Sequence, residues 1–247
     1  MRLVSNTARR VWLAPAYVLH QYAYRDSSRI VELFTAEHGR LSLFARGLAA
    51  PRSGLKGVLR PFQRLLVSWT QRGEAGQLIG AEVDGEATSL AGQALMSGFY
   101  VNELLLKLTQ RGDPHPEIFL SYAACLAALG GGTAQEPALR RFEKRLLEDL
   151  GYGLELEQTA DGEPLEPGAY YRLATESGPV ACIAEAPGAV YGRSLVDLKA
   201  ERFEDARSLR DAKRVLRAAL DTCLEGRPLH TRAILKALRR HEAEPTP

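Results

Sequence analysis

The sequence predicts an α+β fold: an N-terminal OB-fold β-barrel, then a helical domain carrying a small, irregular β-containing insertion. Three observations predict it. From Ala14 to about Val83 the apolar residues alternate or cluster in short runs rich in Val, Ile, Leu, Phe and Tyr, separated by turn chemistry. After Ser89 the apolar spacing lengthens to three and four residues, the period of helices. Between residues 152 and 192 Gly, Pro and Glu interrupt both patterns.

Five strands are expected at roughly 14–23, 29–36, 40–46, 61–70 and 77–83. Asp26-Ser27-Ser28 and Glu37-His38-Gly39 make tight connections, and Ala49 to Val58 makes one long loop. Five short strands with a protruding loop between the third and fourth fit a small Greek-key barrel of the OB kind, with an SH3-like barrel as the alternative on pattern alone. Leu90 to Gln110, apolar nearly all round, is expected to be a buried helix. Asp113-Pro114 opens a second helix as N-cap and first-turn proline, and Gly130-Gly131-Gly132 stops it. Thr133 and Glu136 have capping-box spacing for a third, with Leu139, Phe142, Leu146 and Leu150 on its buried face and Gly151 at its end. In the insertion only Tyr170–Thr175 and Val180–Ala184 read as strands. Ser208 and Asp211 cap a further helix running to about Glu225, and a last helix begins near Thr231. These readings divide the chain at about residue 84, into a barrel domain 1–84 and a helical domain 85–247 with its module at about 152–192.

Charge is unevenly distributed. The formal net charge is only +2, yet residues 1–75 hold twelve Arg and Lys against four carboxylates, net +8, while residues 76–159 are net −6. Such asymmetry points to a polyanion-binding end attached to something else. Within Gly39–Gln71 no carboxylate intervenes among Arg40, Arg46, Arg52, Lys56, Arg60 and Arg64, which are the candidate phosphate contacts. Arg2, Arg9 and Arg10, on a basic arm formed by residues 1–10, are secondary candidates. Tyr24, Phe44, Phe62 and Trp69 are candidate stacking rings, although alternation along a strand turns about half of such side chains inward. Asn102 and Glu103 interrupt the apolar first helix, and buried polar groups there are best explained as a structural network joining barrel and helices. Arg232, Lys236, Arg239 and Arg240 form a basic stripe near the end, of the kind that is usually just solvated.

Cys125, Cys182 and Cys223 lie far apart, which suits a reducing, cytoplasmic compartment. No leader and no run of eighteen apolar residues is read in the sequence, so a soluble protein is expected. The phosphate-loop pattern G-x-x-x-x-G-K-[ST] is missing, and with it the expectation of ATP use.

Several strings resemble the RecO family of bacterial DNA-repair and recombination-mediator proteins. They are A-Y-V-L-H at 16–20, V-E-L-F-T-A-E-H-G-R-L-S at 31–42, A-R-G at 45–47, P-R-S at 51–53, L-R-P-F-Q at 59–63, Y-V-N-E-L-L at 100–105, A-L-R-R-F-E at 138–143, L-G-Y-G at 150–153 and G-R-P-L at 226–229. The resemblance implies a protein without turnover of its own that binds single- and double-stranded DNA and anneals complementary strands. It also implies RecR as a partner, recognition of the acidic C-terminal tail of the single-stranded-DNA-binding protein SSB, assistance to RecA loading, and action in the RecF pathway. That tail ends in an apolar aromatic residue and a free carboxylate, and the A-L-R-R-F-E helix is the implied site, with Arg140, Arg141 and Phe142 as candidates. Arg140 is equally able to pair with Glu136 one turn earlier. Lys144 and Arg145 lengthen the basic edge.

Some relatives of that family carry four cysteines after L-G-Y-G and bind zinc. Here Glu157, Gln158 and Thr159 stand where the ligands would begin, and Cys182 is alone. The five histidines are scattered, so no metal and no cofactor is expected, and the module must hold itself by hydrophobic packing. Two other functions compete with the mediator: an RNA-binding OB-fold module, and a metal-dependent nuclease, for which the barrel's four acids are poorly spaced.

Overall fold

The computed structural model describes residues 9–24, 26–48, 54–72, 75–86, 88–132, 135–174 and 178–243. The chain forms two compact units, residues 1–132 with 229–247, and residues 133–228. Arg2, Arg52 and Thr133 lie outside the described residues.

The first unit opens with five strands, β1 (Arg9–Tyr24), β2 (Ser28–Thr35), β3 (Gly39–Ala45), β4 (Arg64–Arg72) and β5 (Ala75–Val83), with a one-turn helix α1 (Leu55–Val58) between β3 and β4. They close into a barrel in the order β1-β2-β3-β5-β4. All neighbours are antiparallel except β3 and β5, which run parallel. This is the OB arrangement expected from the sequence. Closure leaves the hydrophobic core inside, where Val18, Val31, Leu33, Leu43, Leu65, Val67 and Trp69 meet. Trp69 and Phe62 are therefore packing residues: each is buried, and Phe62 lies against Phe99 at 5.1 Å.

β1 begins five residues before the expected strand. The extra stretch pairs with β4, and a bulge between Val11 and Ala14 places Leu13 at φ +49°, which breaks the alternation a sequence reading relies on. Arg9 and Arg10 are thus strand residues, not a free arm. A second bulge between Val18 and His20 lets the same strand turn from β4 toward β2.

Helices α2 (Gly92–Leu108), α3 (Pro116–Gly130) and α7 (His230–Ala243) complete this unit. The outward side chains of β1 and β2 meet α3 through rings: Tyr17 lies 5.4 Å from Phe119 and 5.0 Å from Tyr122, and Phe34 lies 5.8 Å from Phe119. Asn102 of α2 donates to the Leu19 carbonyl at 2.9 Å and accepts from the Tyr122 hydroxyl at 2.7 Å. It is the expected polar strut between strand and helices, with both its amide nitrogen and its amide oxygen bonded in a buried setting. Glu103 serves α7 instead. Its Oε1 accepts from His230 N at 2.8 Å, and its Oε2 accepts from Thr231 N at 2.9 Å and the Thr231 hydroxyl at 2.7 Å. An anion is thereby set on the unsatisfied N–H groups that open the helix. Helix α3 starts at Pro116 rather than Pro114, the later proline supplying the preset φ of the first turn.

The second unit holds α4 (Gln135–Asp149), a three-stranded sheet of β6 (Tyr170–Ala174), β7 (Gly178–Cys182) and β8 (Val190–Tyr191) in the order β7-β6-β8, then α5 (Gly192–Lys199) and α6 (Ala206–Cys223). Gly151, at φ +81°, ends α4 with bonds from its own N–H to Glu148 O at 3.1 Å and from Tyr152 N to Leu147 O at 2.8 Å, the paired closure that a left-handed glycine permits. Helix α6 starts earlier than expected because Asp205 is its cap, accepting from Ser208 N at 2.7 Å. Ser208 itself is buried and donates to Asp197 at 2.9 Å.

That carboxylate ties α5 to the start of α6. Asp197 is buried, and besides Ser208 it receives Arg193 and Arg202, each at 3.1 Å. The α5–α6 pair is thus held by a hydrogen-bonded ion network as well as by the packing of Leu195, Leu198, Leu216 and Leu220.

Candidate nucleic-acid interface

The barrel's outer face is organised by strand register. Arg10 pairs with Thr70, Thr70 with Gln77, Gln77 with Phe44, Phe44 with Ile30, and Ile30 with Tyr22. Paired residues share a sheet face, and Leu43 and Ala45 on either side of Phe44 point into the core, so this row of six points outward. Arg10, Gln77 and Tyr22 are exposed, and Thr70, Ile30 and Phe44 partly so. One cation, two amide or hydroxyl groups and two aromatic rings therefore run in sequence across all five strands.

The row is reinforced at its aromatic end. Tyr24 meets Phe44 edge-on at 5.1 Å, His20 meets Tyr22 at 4.5 Å, and the Arg46 guanidinium sits 5.9 Å from the Phe44 ring centre. Arg46 is exposed at the turn that follows β3. Solvent-facing rings with a guanidinium beside them have the chemistry to stack a base and hold its phosphate together.

Of the six expected cations, five lie among the described residues and separate into three groups. Arg46, Lys56 and Arg60 are exposed and have no ion pair among the described residues. Lys56 lies on α1, whose Leu55 and Val58 anchor it against the barrel core. Arg64 is exposed but binds Asp84 at 2.7 Å. Arg40 faces inward to Glu32 at 3.1 Å and donates to the Thr109 carbonyl at 3.0 Å, so it ties the barrel to the end of α2 and has little surface to offer a ligand. Arg52 lies outside the described residues. Of the expected rings, Tyr24 and Phe44 stand on the face while Phe62 and Trp69 are in the core. Tyr22, Ile30 and Gln77 were not among the expected residues, since no local signal marks them.

On α4, Arg140 is buried and pairs with Glu143 at 2.5 Å, while Glu136 pairs with Lys213. The Arg140 Nε and Nη1 atoms are buried with no hydrogen-bond partner among the described residues. Phe142 is a core residue of the second unit. Arg141 is exposed, its guanidinium 5.4 Å from the Phe203 ring centre and its Nη2 donating to the Glu201 carbonyl at 3.3 Å. Arg145 grips the Glu201 carboxylate with two bonds at 3.1 and 3.2 Å, and Lys144 joins it at 3.7 Å.

Comparison with known proteins agrees with this architecture. The sequence profile described as Recombination protein O N terminal matches residues 10–84, the barrel, and that described as Recombination protein O C terminal matches residues 90–233. The chain belongs to the RecO family. It is 44% identical over 239 residues to the DNA repair protein RecO of Dechloromonas aromatica, covering 94% of this chain and 98% of that one. To the DNA repair protein RecO of Alkalilimnicola ehrlichii it is 46% identical over 242 residues, covering 96% of each. To that of Methylococcus capsulatus it is 42% identical over 229 residues, covering 92% of this chain and 94% of the relative. RecO is a DNA repair and recombination family, and the OB barrel with its outward aromatic and basic row is its N-terminal part. Among the described residues no helix is long and apolar enough to cross a membrane, and no group of three or more His, Cys, Asp or Glu is arranged to hold a metal ion.

Proposed function

We propose that this protein is a non-catalytic mediator of DNA repair and recombination. It binds single- and double-stranded DNA through the barrel domain of residues 1–84, with residues 85–247 as the helical, partner-binding part, and it anneals complementary strands. With RecR it helps load RecA onto SSB-coated DNA in the RecF pathway, and it acts in the bacterial cytoplasm at the nucleoid.

The observation that carries this reading is the outward row ending in Ile30, Phe44 and Tyr22 with Arg46 beside it. Stacking on such rings contributes roughly 1–3 kcal/mol per base and tolerates any sequence, because every base has a flat face. Bases held by their faces and strands held by their phosphates keep the pairing edges free. A complementary strand can then pair on the same surface, which is what annealing without nucleotide hydrolysis requires.

Recognition of the SSB tail is assigned to the α4 region. Arg141 offers an exposed guanidinium beside Phe203 to an incoming carboxylate, and Arg140, buried with two donors without partners among the described residues, joins it when its side chain swings toward the surface. Arg140→Ala is expected to weaken capture of the tail peptide and leave affinity for naked DNA nearly intact.

The deciding experiment anneals two complementary labelled strands coated with SSB, with and without this protein, in the absence of nucleotide. Acceleration in proportion to protein concentration is expected. No acceleration at low salt, where phosphate binding is strongest, would overturn the proposal.

A further inference from the structure

The second unit contains a groove that the DNA and partner assignments leave unused. It has a volume of about 540 Å³ and lies between α6 and the β6–β8 sheet, with Leu154, Leu173, Val190, Val215 and Ala218 among its lining. That volume falls within the range of small-ligand sites, and the mixture of apolar walls with a few charged groups is typical of them.

The groove persists because its walls are built from small residues. Helix α6 presents Ala218 and Ala219 where longer side chains would fill the space, and Gly153, Gly178 and Gly188 contribute bare backbone. The Schellman turn at Gly151 then carries Tyr152 to the edge, where its ring is 55% exposed.

Charge at the groove is biased toward cations. Arg172 is exposed and has no ion pair among the described residues. Arg214 bonds the Ala189 carbonyl and Asp211, using Nη2 alone. The one carboxylate in the lining, Glu155, is turned onto its own chain, accepting from Glu157 N at 2.8 Å. The groove therefore complements a molecule with an apolar body and an anionic end.

We propose that this groove binds a small apolar carboxylate, its hydrocarbon part against Leu173, Val190 and Ala218 and its acid group at Arg172 and Arg214. None of these residues belongs to the barrel face, so occupancy is separable from DNA binding.

The test titrates 3-phenylpropanoate and 4-methylpentanoate into the full chain, with their primary amides as controls, and follows backbone amide resonances by NMR. Saturable shifts are expected at Tyr152, Leu154, Leu173, Val190 and Ala218, with the amides about tenfold weaker because they forfeit the charge-assisted bonds. Arg172→Gln combined with Arg214→Gln is expected to erase the difference between acid and amide, and Ala218→Trp to abolish binding while a thermal melt shows the chain folded. If Ala218→Trp does not fold, the double arginine variant decides alone. No saturable shift at these residues with millimolar acid, or equal binding of acid and amide, overturns the assignment. A short peptide ending in the same apolar residue that binds tenfold more tightly than the free acid also overturns it, and transfers the groove to a protein partner.

Discussion

The carboxylate of Glu32 accepts from Arg40 Nη1 at 3.1 Å across the β2–β3 hairpin, and its other oxygen lies 2.5 Å from Arg111. Glu32 is fully buried, and Arg40 is mostly so, its side chain 14% exposed. Removing Arg40 would leave a desolvated carboxylate with a single, mostly exposed partner. Arg40→Ala is therefore expected to cost about 2–4 kcal/mol in urea unfolding. The salt dependence of DNA affinity should not change in this variant while it remains folded; a shallower slope would put Arg40 back among the phosphate contacts.

Phe44 and Tyr22 should behave in the opposite way. Phe44→Ala is expected to weaken single-stranded DNA binding by about 1–3 kcal/mol with little change in its salt slope, since stacking is not counterion release. Fluorescence anisotropy at several salt concentrations separates the two terms. A change in slope without a change in affinity extrapolated to high salt would assign Phe44 no stacking role.

Arg46, Lys56 and Arg60 are expected to set that slope. Each alanine substitution should reduce the logarithmic salt dependence on a single strand by roughly 0.7. Arg64→Ala should reduce it less, because Asp84 already neutralises that guanidinium. Equal effects for all four would mean that the Arg64–Asp84 pair opens on binding.

Glu103 predicts a pH dependence. Burial pushes its carboxyl pKa up, but bonds from Thr231 and His230, with Lys107 nearby, outweigh this and hold it below the ordinary value of 4.5. A carboxyl depressed on folding adds stability above its unfolded pKa and loses it as the pH falls through the folded one. Wild type should therefore exceed Glu103→Gln in thermal stability at neutral pH, with the gap closing below about pH 4.5. A gap that stays constant down to acid pH would show that the charge on Glu103 is not what holds α7.

Gly39 has a paired test. At φ +60° its added Cβ would lie 1.9 Å from the Asp113 carbonyl oxygen, whereas Gly47 at φ +64° faces open space. Gly47→Ala should cost only about 1 kcal/mol of backbone strain, and Gly39→Ala about 2–4 kcal/mol because the loop at Asp113 must also move. Equal losses in chemical denaturation would mean that the clash relaxes freely.

Much of the barrel was legible because Leu41, Leu43 and Ala45 alternate cleanly and the turn at Glu37-His38-Gly39 marks the hairpin. The α4 helix was legible for a similar reason, with Phe142 and Leu146 on one buried face and Gly151 as stop. The candidate face was not, because Arg10, Gln77, Phe44 and Tyr22 become neighbours only when β3 pairs in parallel with β5 and β4 closes on β1. Local spacing also made Arg40 look available, since its partners Glu32 and Thr109 are defined by tertiary structure. Helix α5 escaped notice because it is eight residues long, begins at a glycine and has no side-chain cap.

The return of α7 to the first unit makes that unit discontinuous in sequence, with residues 133–228 threaded between its two parts. A ribosome that has finished the barrel has not yet made the helix that Glu103 anchors, so maturation of the amino-terminal half must wait for almost the whole message to be translated.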